Sequence, residues 1–123
     1  MTMPHERMRS LRWGWELLQT LQTDSSVPPA LVACAAALAQ SYPTPQTLSL
    51  MLHADRPQLP EGFGASVDGA RALFEEVQLG GHGCEATRRH ALFTLRHFPL
   101  RDAAGAAWLG SMKNWLDLEP ASP

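Results

Sequence analysis

The sequence predicts an all-α protein, a compact bundle of about six helices, and three observations lead there. Apolar residues recur at three-and-four spacing in several windows, as in Met8, Leu11, Trp15 and Leu18, a stripe that Gln22 continues. Clusters of Pro, Gly, Ser and Asp separate those windows. The run 28–40 is apolar on every side, and no Lys, Arg, Asp or Glu stands between Asp24 and Asp55. An Ala-rich helix with no charged face belongs inside a core or under a partner. The other helices are therefore expected to pack around 28–40.

The first helix starts near Pro4, whose missing N–H costs nothing in a first turn, and runs to about Thr23. Leu17 and Leu21 widen its buried stripe, and Trp13 lies off it. Asp24, Ser25 and Ser26 end it by competing for backbone groups. Ser26 is expected to cap the second helix, with Pro28 and Pro29 in its first turn and Tyr42-Pro43 as its stop. Thr44-Pro45 opens a third helix with Leu48, Met51 and Leu52 inward, although 47–53 also alternates loosely enough for a short strand. The Pro- and Gly-broken stretch 55–64 reads as a linker, pinned by Leu59 and Phe63. Ser66 is expected to cap the fourth helix, with Asp68 in its first turn and Val67, Ala70, Leu73, Phe74 and Val77 on its apolar face. Gly80-Gly81 stops it. The fifth helix spans about 84–97, with Ala91, Leu92, Leu95 and Phe98 inward and Arg89, Phe93 and Arg96 on a second face. A sixth, capped by Asp102, stacks Trp108, Met112 and Trp115 and ends near Leu116.

A chain of 123 residues with 45% apolar and 18% charged side chains suits one self-sufficient globular domain. Its net charge of −2 argues against a general polyanion partner. The charge is unevenly placed: residues 55–85 carry a local −4 and residues 86–101 a local +4. Oppositely charged neighbouring helices ordinarily pair within a fold. Two cysteines make no disulfide framework, and neither a secretion signal nor a membrane span is legible. A reduced, cytoplasmic protein without membrane association is the expectation.

One fixed offset superposes Leu17-Leu18 on Leu73-Phe74, Leu21 on Val77, Ala35 on Ala91 and Tyr42-Pro43 on Phe98-Pro99. This suggests two similar three-helix units, 1–54 and 65–117. The opening Thr2-Met3-Pro4-His5-Glu6-Arg7, the break at Ser26-Val27-Pro28 and the later Tyr42-Pro43-Thr44 resemble an uncharacterised family of short bacterial proteins. The resemblance covers about the first 45 residues. It departs in the second helix, which is Ala-rich here where the family carries Arg and Glu, and at Ser41 where the family carries His. It implies no activity and no catalytic residue.

Candidate chemistry is sparse. His82 and Cys84 form the best nucleophile–base candidate, with Cys84 at a helix N-terminus and Arg88 one turn on. A metal reading over His82, Cys84, His90 and His97 lacks the tight ligand pairs of structural zinc, so no metal and no cofactor is expected. Arg88, Arg89, Arg96 and Arg101 are the candidate phosphate contacts, without the density of a dedicated nucleic-acid arm. Trp13 is the candidate interface residue. The leading expectation is a non-enzymatic interaction or regulatory module that forms a homodimer. A nucleic-acid-associated protein using the Arg-rich helix comes second, and a Cys/His enzyme third.

Overall fold

The structure, a computed structural model, is all-helical in the residues it describes, 4–53 and 62–98. Five helices lie there: α1 (Pro4–Thr23), α2 (Pro29–Ser41), α3 (Pro45–His53), α4 (Phe63–Gly80) and α5 (Glu85–His97). The stretch 47–53 is thus helix and not strand. The expected sixth helix and most of the expected linker, 54–61, lie outside the described residues.

The four long helices pack in a ring, α1 against α2 and α5, and α4 against the same two, while α3 leans on α1. Most of the large core side chains come from α1 and α4, with Leu48 of α3 and the caps Tyr42 and Phe98 beside them. Leu11, Leu17, Leu18 and Leu21 of α1, and Phe63, Phe74 and Val77 of α4, are fully buried. The flanking helices add small groups, Ala35 on α2 and Thr87, Ala91 and Thr94 on α5. Full burial of one large apolar side chain is worth about 1.5–3 kcal/mol, so α1 and α4 supply most of the hydrophobic stabilisation.

The Ala-rich helix is therefore not the centre. Ala35 alone on α2 is fully buried, while Ala33, Cys34 and Ala37 are exposed. Methyl groups offer little area to bury, and the Leu stripe of α1 takes the central place instead. On α5 the inward stripe is Thr87, Ala91, Thr94 and Phe98. Leu92, expected inside, is 47% exposed.

Most helix ends follow the expected turn chemistry. The Thr44 hydroxyl accepts the Thr47 N–H at 3.1 Å, capping α3. Gly81 closes α4 in the left-handed conformation, where its N–H reaches the Val77 carbonyl. Two caps differ. Pro28, not Ser26, precedes α2, and Gly62 precedes α4. Ser66, one turn inside α4, donates to the Phe63 and Ser41 carbonyls, so a tertiary bond replaces the expected cap. Asp68 correspondingly sits beyond the first turn.

Two hydroxyls tie the ring across. Ser66 on α4 donates to the carbonyl of Ser41, at the end of α2, at 3.2 Å. Ser10 on α1 donates to the carbonyl of His97, at the end of α5, at 3.1 Å. The residues that follow, Tyr42 and Phe98, are buried C-caps with extended backbone. Both reach Gly14, where an added Cβ would collide with the Tyr42 hydroxyl and stand 2.9 Å from Phe98 Cε1. The Tyr42 hydroxyl donates to the Leu11 carbonyl at 2.6 Å. Burial pushes that phenol well above its ordinary pKa and keeps it protonated.

Asp24 clamps the α1–α2 turn to the start of α5. One carboxylate oxygen accepts the Ser26 N–H at 2.8 Å. The other accepts the Cys84 N–H at 3.0 Å and the Thr87 hydroxyl at 2.7 Å, so the cap of α5 is supplied from another element. Gly83 allows this approach: its φ is +84°, and a Cβ there would meet Thr87 at 3.0 Å and Asp24 at 3.1 Å. The Cys84 bond, then the Thr87 and Ser26 bonds, hold the Asp24 carboxyl far below the usual carboxylate range. In acid the unfolded chain takes up this proton first, so the clamp stabilises the fold above about pH 4 and is lost progressively below it. We expect Asp24→Asn to lower stability near neutrality and the gap to wild type to shrink from about pH 4 towards about pH 2 in denaturant titrations. A gap that stays constant would show that the carboxylate charge is not what holds the turn.

Candidate functional site

The turn between α4 and α5 carries His82 and Cys84 but does not join them into a nucleophile and base. His82 Nε2 lies 3.1 Å from Glu76 Oε2, while Cys84 Sγ faces the Thr87 hydroxyl at 3.4 Å. Among the described residues no three His, Cys, Asp or Glu side chains gather as a metal site. His97 instead pairs with Glu6 at 3.5 Å.

The four candidate arginines separate. Arg88 turns to the Gly81 carbonyl at 3.3 Å, a structural contact, and Arg101 lies outside the described residues. Arg89 and Arg96 line the groove between α1 and α5, and there they meet Trp13, the candidate interface residue. Two adjoining cavities of about 390 and 340 Å³ share Trp13 and Phe93 as walls. Phe93 is 41% exposed and Trp13 is half-buried.

Arg9 was missed in the sequence. It lies one turn before Trp13, and its guanidinium sits 5.8 Å from the Trp13 ring centroid. Arg96, on the next turn after Phe93, stacks at 5.4 Å on that ring. Same-face spacing of three and four on each helix was the available signal. Such stacking holds a guanidinium over a ring while leaving N–H groups for another acceptor. Acids share the groove: Glu85 borders Arg89, and Glu6 borders Arg9 and Arg96. His90 completes the wall. Burial lowers its pKa, against the opposing pull of Glu16 and a hydrogen bond to the Trp13 backbone.

The same ring frame carries a contrasting face between α2 and α4. The offset that takes Leu17 to Leu73 takes Arg9 to Ala65 and Trp13 to Gly69. In the reverse direction it takes Arg89 to Ala33 and Phe93 to Ala37. At Gly69 an added Cβ would lie 2.8 Å from Leu38 Cδ2. One face is thus smooth and uncharged, the other aromatic and arginine-lined.

No protein-family model, curated protein or solved structure matches this chain. Among the described residues no helix is long and apolar enough to cross a membrane.

Proposed function

We propose that this chain is a non-enzymatic interaction module that self-associates through the α1–α5 groove, built on two similar three-helix units. One observation carries the reading. At positions related by the same offset the frame buries Leu11 and Val67, Leu17 and Leu73, Leu18 and Phe74, Leu21 and Val77, and Ala35 and Ala91. It bonds Ser10 and Ser66 to matching carbonyls. Yet Trp13, Phe93, Arg9 and Arg89 answer to Gly69, Ala37, Ala65 and Ala33 on the other side of the frame. These four side chains are therefore not needed to build the helices, and their chemistry suits an interface core, which is enriched in aromatic residues and Arg.

The charge of the groove favours a second copy. Arg9, Arg89 and Arg96 share the groove with Glu6 and Glu85, so it offers charges of both signs and a net positive excess to a second copy. The second reading, single-stranded nucleic acid, is favoured by one feature, the alternation of arginines with stackable rings. Random oligonucleotide binding that falls steeply with salt would support it.

Size exclusion with light scattering tests the self-association. The expected mass is twice the 13.5 kDa of the chain, returning to 13.5 kDa in Trp13→Ala with the helical circular dichroism unchanged. A wild-type monomer at high micromolar concentration defeats the proposal. A cytoplasmic, reducing setting agrees with the two exposed free cysteines, Cys34 and Cys84.

A further inference from the structure

The acid-rich stretch and the arginine-rich stretch do not pair with each other in the described residues. Glu75 bonds Arg71 on its own helix at 3.1 Å, and Glu76 bonds His82 in the adjoining turn at 3.1 Å. Arg88 turns to a carbonyl, while Arg89 and Arg96 make no ion pair among the described residues, although Glu85 and Glu6 line the same groove. The two charged surfaces both face outward, so their complementarity is available between molecules.

The acidic surface also has an anchor. Leu79, at the end of α4, is 80% exposed and Leu92 on α5 is 47% exposed. With Glu75, Gln78, Leu95 and Arg96 they line a shallow groove of about 370 Å³. Large exposed apolar side chains edged by charge mark contact surfaces. Arg96 belongs to this groove and to the Trp13–Phe93 groove alike, so the two surfaces run into one another around α5.

We infer that two copies of this chain pair by placing the α4 end of each, Glu76 and Leu79, in the Trp13–Phe93 groove of the other, with Glu76 against Arg89. This rests on the self-association proposed above and names the surfaces that meet. Because the surfaces adjoin, a two-fold axis near Arg96 lets each copy give and receive at once, which closes the assembly at two. Leu79 then loses its exposure to water between the two rings. The carboxylate of Glu76 meets a guanidinium that makes no ion pair within its own chain among the described residues.

Charge exchange tests the contact. Arg89→Glu and Glu76→Arg each place like charges together twice in a two-fold pair, so each variant alone should dissociate at least about tenfold more readily than wild type. In an equal mixture the two introduced charges, opposite in sign, face each other at one contact. At the other contact the native Arg89 and Glu76 meet. The mixture should recover wild-type association by sedimentation velocity, with thermal melts of both variants close to wild type. Two results overturn the inference: variants that associate like wild type, or a mixture no tighter than its components. In either case a wild-type dimer leaves the proposed self-association standing, whereas a monomeric wild type removes both.

Discussion

Gly14→Ala loses about 1–3 kcal/mol of folding stability, a large effect for one methyl group. The position lies inside α1, where Ala ordinarily stabilises by up to about 1 kcal/mol over Gly, so helix propensity predicts the opposite sign. Packing decides it. The added Cβ collides with the Tyr42 hydroxyl, stands 3.1 Å from Tyr42 Cζ and 2.9 Å from Phe98 Cε1. Neither ring can easily retreat, since Tyr42 is bonded to the Leu11 carbonyl and Phe98 meets Phe74 edge to face at 5.5 Å. Tyr42→Phe removes the nearest atom and one buried hydrogen bond, and costs about 1 kcal/mol alone. In the double variant the collision with the hydroxyl is relieved while the contact with Phe98 stays, so the combined loss falls short of the sum by about 1 kcal/mol. Chemical denaturation of the four proteins measures this. A stabilised Gly14→Ala would mean that the rings do not converge on α1.

Ala35→Asp has the larger effect, a loss of about 3–5 kcal/mol, because it leaves a carboxylate unpaired against the core. Ala33→Asp, half a turn earlier on the same helix, stays within about 0.5 kcal/mol of wild type. Ala35 is wholly buried and Ala33 exposed, although the sequence around them is almost uniform in hydropathy. Thermal melts of the pair decide the orientation of α2. Equal, large losses would restore the Ala-rich helix to the centre of the bundle, and equal, negligible losses would detach α2 from the core.

The physics of single helices made much of this fold legible. The Leu stripe of α1, the Thr44 cap and the left-handed Gly81 follow from local rules that need no neighbour. The central position of α2 was misread because mean hydropathy counts an Ala as apolar without weighing how little area it buries. Ser66 was beyond local rules too: its hydroxyl is admitted to the core by a tertiary partner, the Ser41 carbonyl, which spacing does not encode. The groove was legible in halves. Arg9 and Trp13 share one helix face, and Arg89, Phe93 and Arg96 another. Their meeting depends on α1, the first helix of the chain, packing against α5, the last of the described ones.

Self-association through the aromatic groove is tested most directly by amide nitrogen–proton spectra of dilute and concentrated protein. Rising concentration should move the Trp13 indole and the amides of Arg9, Arg89, Phe93 and Arg96, and leave Ala33 and Ala37 on α2 in place. Shifts confined to α2, or none at any concentration, would contradict it.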